Sequence, residues 1–152
     1  MTLDQYRSHA KVFFDPLVVI AIRCRLTPNF FTIAALAASA AAGILFFFRL
    51  EFWGIVAVAV NAFCDAMDGA VAREMKIQSK RGDFLDHAVD RYADIFIITG
   101  IFAGGMVPWQ VGVFALTGVL MASYLGTQGE AVGVGRYYGG LLGRADRLVL
   151  IM

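Results

Sequence analysis

Long apolar runs broken by short charged clusters set the plan of this chain. Residues 30–48 contain 19 positions without a charge, and at ~1.5 Å of rise per residue such a helix spans the hydrocarbon core of a bilayer. Thr27-Pro28-Asn29 stands just before it, which predicts a helix start with Thr27 as N-cap and proline at the first helical position. Small residues crowd positions 34–43 and allow a neighbouring helix to approach closely. After a short turn at Arg49 and Glu51, residues 52–63 open a second span, which must continue through Asp65 and Asp68 to be long enough. Residues 73–81 are polar and predict a loop. A third span is predicted from near Asp83 to about Met106, its first turns carrying Asp83, Asp86, Asp90 and Asp94 along one face, with Asp83 as its cap. Gly104, Gly105 and Pro108 end it, and Trp109 suits a membrane interface. A fourth span covers 111–125. A Gly-rich polar stretch, 126–147, follows, and 148–152 reads as the opening of a fifth span, with the later spans missing from this sequence.

The start of the chain has a different pattern. Residues 3–25 mix Val12, Phe13, Phe14, Leu17, Val18, Val19, Ile20 and Ile22 with Arg7, His9, Lys11, Asp15, Arg23 and Arg25. Residues 1–26 therefore read as an amphipathic helix lying in the membrane interface, with a bend or restart at Pro16, and 27–152 as the transmembrane domain. The expected fold class is all-α, a polytopic transmembrane helix bundle. Composition agrees, since 59% of the 152 residues are hydrophobic, well above the ~45–50% of soluble domains. A net charge of +1 gives no case for a nucleic-acid partner. Cys24 and Cys64, 40 positions apart in apolar surroundings, read as buried thiols rather than a disulfide. The first residues lack an apolar run followed by a cleavage site, so they do not read as a signal peptide. Of the 13 basic residues only Arg49 falls on one side of the predicted spans. The positive-inside rule then puts the aspartates and the 126–147 stretch on the cytoplasmic face of a multi-pass cell-membrane protein.

Four of those aspartates fall in two pairs, Asp65 with Asp68 and Asp86 with Asp90, three and four residues apart. Each spacing puts a pair on one helix face. Carboxylates at the mouth of a membrane are costly, which makes them functional candidates. Two facing helix ends bearing such pairs could clamp one or two hard divalent cations, Mg²⁺ or Mn²⁺, together with substrate phosphates. Two ions would stabilise the attacking and leaving oxygens of a displacement at phosphorus. Gly69 and Gly82, and equally Ala72, keep the helix faces open to a nucleotide or diphosphate, Arg73 suits phosphate oxygens, and a fourth carboxylate one turn from a ligand suits a general base. Asp94 reads either as a buried partner for an arginine or as support for the ligands. Asn29 and Thr32 read either as capping and packing residues or as contacts to a bound nucleotide. His9 and His87 read as surface or interface residues without a metal partner at ligand spacing.

Asp65-x2-Asp68-Gly69-x2-Ala72-Arg73-x8-Gly82-x3-Asp86-x3-Asp90 resembles, at all eight defined positions, the signature of the CDP-alcohol phosphatidyltransferase family. The resemblance implies a six-helix membrane bundle that forms a homodimer, of which this sequence holds four spans and the start of a fifth. It implies transfer of a phosphatidyl-type group, diacylglycerol or archaeol phosphate, from a CDP-linked lipid to an alcohol, with release of CMP. It also implies roles: Asp65, Asp68 and Asp86 as metal ligands, Asp90 as catalytic base and contact to a second metal, and Asp65, Asp68, Gly69, Ala72, Arg73, Gly82 and Asn29 around the CDP moiety. LLGRADRLV, with Tyr124 and Glu130, looks like the acceptor-holding segment of members that make inositol-phosphate lipids. That points to Arg144, Arg147 and Arg136 as contacts to a phosphorylated alcohol, with inositol phosphate first and serine or glycerol phosphate as alternatives. Positive-inside topology alone would also place arginines there. Two other classes compete: a Mg²⁺-dependent membrane prenyltransferase, whose acidic motifs come from distant helices, and an ion transporter, which needs its polar residues near the bilayer midplane.

Overall fold

The computed structural model describes residues 7–133, with side chains from residue 14 onward. Every regular element among them is a helix: α1 (Arg7–Arg23), α2 (Pro28–Phe47), α3 (Glu51–Glu74), α4 (Lys80–Ala103) and α5 (Trp109–Ala131). α2, α3 and α5 are each long and apolar enough to cross a membrane. α4 matches α3 in length but carries Asp83, Asp86, Asp90 and Arg91 in its first half and Asp94 just beyond, so it does not qualify on composition as the third of four spans. Positions 136, 144 and 147 and the predicted fifth span at 148–152 lie outside the described residues.

α2 lies between α3 and α4, α5 rests on α4, and α1 rests on α3. Two apolar clusters hold these contacts. One joins Val18 and Ala21 of α1 to Phe31 of α2 and to Met67 and Val71 of α3, and the Phe14 ring stacks on Phe63 at 5.9 Å. The other, farther along the bundle, joins Ala42 and Phe46 to Val58 and Ile97. Between them Asn61 of α3, 1% exposed, donates its Nδ2 hydrogen to the Ala35 carbonyl at 2.8 Å. The α2–α4 seam is closest at glycines. A Cβ on Gly43 would lie 2.5 Å from the Phe96 carbonyl oxygen, and one on Gly100 would strike the Gly43 backbone. The small-residue run thus makes the close approach its composition predicts. α5 is attached lightly, with Gly112 its single buried position, and Phe114 is 83% exposed, as suits a side chain facing lipid.

Helix ends account for the turns. α1, α2, α3 and α4 stop in the same way: the first left-handed residue, Arg25, Arg49, Lys76 or Gly105, is followed by an N–H that reaches back five residues, as Ile77 does to the Ala72 carbonyl at 3.2 Å. Arg49 adds a clasp, its Nε donating to the Gly104 carbonyl at 2.8 Å and its Nη2 to Gly105 at 3.2 Å. Three sequence expectations change. Pro16 sits inside an unbroken α1. Ser79, not Asp83, caps α4, its Oγ accepting from the Gly82 N–H at 3.1 Å, while Asp83 lies in the first turn, where a negative charge favours the helix dipole. Cys64 is buried, but Cys24 is exposed, and both are free thiols.

Candidate active site

The start of α2, the end of α3 and the start of α4 meet at one end of the bundle. Between them opens a cavity of about 750 Å³, lined among others by Asn29, Thr32, Asp68, Arg73, Lys80 and Asp86. α3 and α4 are joined by the short segment 75–79, so the two halves of the motif, distant in sequence by 21 positions from Asp65 to Asp86, return to the same level. Asp65, Asp68 and Asp86 each present a carboxylate oxygen within 4.8 Å of the others. Gly69, Ala72, Arg73 and Gly82 also line the cavity. A Cβ on Gly69 would lie 3.2 Å from Arg73 Nη1, so the missing side chain leaves that guanidinium its present position over the opening.

Burial rises along α4. The Asp83 side chain is 76% exposed, Asp86 is half-buried, and Asp90 and Asp94 are each 8% exposed. Arg91 lies between the last two, its Nη2 3.7 Å from Asp90 Oδ2 and 3.5 Å from Asp94 Oδ2. Asp94 is therefore the buried arginine partner that one of its two readings proposed. Asp90 does not line the cavity. It lies one turn deeper than Asp86, and together with Asp86 and His87 it forms a second group whose ligand atoms are within 4.8 Å of one another. This corrects the reading of His87 as a residue without partners at ligand spacing: adjacency to Asp86 and an i,i+3 relation to Asp90 were the signal in the sequence. His87 Nε2 is also 3.8 Å from Asp83 Oδ1. Thr32 likewise turns out to belong to the site, with its Oγ1 hydrogen donated to Asp68 Oδ2 at 3.0 Å. Gln78, Ser79 and Lys80, which no sequence argument singled out as site residues, form part of the cavity wall.

The donor set suits a divalent cation. Two unit negative charges about 5 Å apart repel by roughly 3–4 kcal/mol at an effective dielectric of ~20, and three carboxylates at one spot multiply that cost. All-oxygen ligands from carboxylates match hard ions such as Mg²⁺ and Mn²⁺. The two groups share Asp86. The wall above carries Arg73 and Lys80, cationic partners for phosphate.

Comparison with known proteins agrees with this chemistry. Residues 25–152 match the model of the CDP-alcohol phosphatidyltransferase family. The chain is 37% identical over 126 residues to the archaetidylinositol phosphate synthase of Pyrococcus horikoshii, covering 83% of this chain and 67% of that protein. It is 34% identical over 150 residues to the archaetidylinositol phosphate synthase of Methanothermobacter thermautotrophicus, covering 99% and 75%. It is 34% identical over 154 residues to the phosphatidylinositol phosphate synthase of Streptomyces avermitilis, covering 94% and 63%. The fold is similar to the crystal structure of Mycobacterium tuberculosis phosphatidylinositol phosphate synthase with CDP-DAG bound, with a TM-score of 0.78 and 29% identity over 89% of this chain and 71% of that one. The same enzyme in complex with manganese and citrate gives a TM-score of 0.79, with coverage of 89% and 68%.

Proposed function

The chain belongs to the CDP-alcohol phosphatidyltransferase family, and on that premise we propose that it transfers a phosphatidyl-type group from a CDP-linked lipid to inositol phosphate. The observation that carries this reading is the meeting of both halves of the motif at one cavity, with three carboxylates at cation-binding distance and Arg73 and Lys80 on the wall. Relatives named archaetidylinositol phosphate synthase and phosphatidylinositol phosphate synthase support the acceptor.

In this reading Asp65, Asp68 and Asp86 hold one divalent ion, Mg²⁺ or Mn²⁺, and Asp86 and Asp90 hold a second, with His87 beside them. The ions supply charge neutralisation at the diphosphate. The CDP moiety lies against Gly69, Ala72 and Gly82, where no side chain blocks it, and Asn29 and Arg73 bind its polar groups. Asp90 takes the proton from the acceptor hydroxyl. The acceptor oxygen then forms a bond to the phosphorus that carries the lipid, the phosphoanhydride bond breaks, and CMP leaves with the electron pair. Arg136, Arg144 and Arg147 hold the acceptor's phosphate. α1 lies in the membrane interface and α4 crosses the bilayer together with α2, α3 and α5. The cavity opens to the cytoplasm, the enzyme resides in the cell membrane, and two copies form a homodimer.

The test incubates membranes containing the full chain with a divalent ion, a CDP-lipid carrying diacylglycerol or archaeol, and one of inositol phosphate, glycerol phosphate or serine. The expected outcome is CMP release that depends on both the ion and inositol phosphate. Release with serine or glycerol phosphate alone would move the acceptor, and absence of CMP with all three would remove the proposal.

A further inference from the structure

We infer that Thr32 is a positioning residue for the cation site, acting through Asp68. The inference rests on the reading of Asp68 as a metal ligand given above. Thr32 is 6% exposed and Asp68 7%, so each side chain is largely shielded and meets solvent only at the cavity. The hydroxyl of Thr32 has one hydrogen and two acceptors within reach: Asp68 Oδ2 at 3.0 Å and the Pro28 carbonyl, four residues back on its own helix, at 3.2 Å. A bond to an ionised carboxylate is shorter and roughly twice as strong as a bond to a neutral carbonyl, so the proton belongs to Asp68 when that group is charged.

The consequence is geometric. The terminal torsion of an aspartate is broad, and Asp65 and Asp86, with oxygens within 4.8 Å, push the Asp68 carboxylate away from the place where a cation would want it. Thr32 opposes that push. It ties one oxygen to α2, fixes the plane of the carboxylate and leaves the second oxygen for the ion. Thr32 is itself stiff, because a β-branched side chain in a helix has few rotamers and the preceding turn begins at Pro28, whose ring fixes the backbone. Both residues line the cavity, so the bond lies at the site rather than in a remote seam. Hydrogen bonds that orient metal-ligating carboxylates are known to be worth one to two orders of magnitude in metal affinity. The Thr32 hydroxyl meets that description through a residue 36 positions away in sequence and on a different helix.

The test measures Mn²⁺ binding to the full chain in detergent by the loss of the free-ion electron paramagnetic resonance signal, with no lipid or nucleotide present. Thr32→Val keeps the shape and removes the hydroxyl, and is expected to weaken binding at least ~10-fold. Thr32→Ser restores the donor and is expected to bind as the parent does. Thr32→Ala serves as a second hydroxyl-free variant where valine disturbs the helix contact. Asp68→Asn separates this inference from the reading it rests on. If Asp68→Asn weakens Mn²⁺ binding but Thr32→Val and Thr32→Ala do not, even with a lowered melting temperature, the hydroxyl is merely structural and the inference falls. If Asp68→Asn leaves binding unchanged, the cation site itself is wrong and the role of Thr32 goes with it.

Discussion

Asp90 is the residue on which the proposed chemistry turns. The residue is 8% exposed, its carboxylate lies beside Arg91, and it sits one turn deeper than the cavity-lining Asp86. Asp90→Asn keeps the shape and removes the base, so CMP release is expected to fall by ~10²–10⁴-fold, with binding of the CDP-lipid retained in a direct titration; near-normal turnover would remove the base assignment. At this scale the sequence was legible wherever the partners share a helix. Asp65 with Asp68 and Asp86 with Asp90 are fixed by covalent spacing, and their faces follow from 3.6 residues per turn. Contacts between helices were not legible. The Thr32–Asp68 hydrogen bond joins α2 to α3, and no local rule states which threonine on one helix meets which aspartate on another. His87 was passed over because its partners are carboxylates already assigned elsewhere, although its spacing to Asp90 was visible.

Helix limits show how neighbouring signals compete. Ser79 and Asp83 are both good caps, and the structure uses the earlier one, which lets α4 begin at Lys80 and puts Gly82 in the first turn at the cavity. Ser79→Ala removes an acceptor from the Gly82 N–H and is expected to cost about 1 kcal/mol, read as a lower unfolding midpoint in detergent; no change would mean that water replaces the cap without loss. The α2–α4 seam predicts a larger effect. Gly43→Ala places a methyl 2.5 Å from the Phe96 carbonyl oxygen, which is backbone and cannot swing aside. A loss of about 1–3 kcal/mol is expected, measured in the same unfolding assay, whereas Gly126→Ala, with open space around it, should be neutral or slightly stabilising. The glycine- and alanine-rich run announced a close helix contact but not its partner. α4 was the hardest element to place. Its acidic first half lowers its apparent fitness as a span, and its packing against α2 and α5 shows that it belongs to the bundle.

At the scale of the molecule, the order of helices and the turns between them could be read from alternating apolar runs and breakers, and the fold class with them. The gathering of the aspartates at facing helix ends, opposite Arg49, could be read as well, whereas the cavity between those ends and the hydrogen bonds at the far turn could not. One end carries Asp65, Asp68, Asp86 and the cavity, while the other carries Arg49 clasping the carbonyls of Gly104 and Gly105 just past α4. Stripping divalent ions with a chelator is expected to abolish CMP release, and adding Mn²⁺ or Mg²⁺ back to restore it; activity that survives chelation would contradict cation clustering at Asp65, Asp68 and Asp86.

α2 and α4 pack along one another, and their backbones come close at Gly43 and Gly100. Gly43 lies 14 positions beyond Asn29, about 20 Å along the helix axis. The pair works like a pair of tongs riveted at the glycines. The gape at the tips follows from the angle at the rivet, so a single methyl group there would alter how wide the jaws stand for a substrate it never meets.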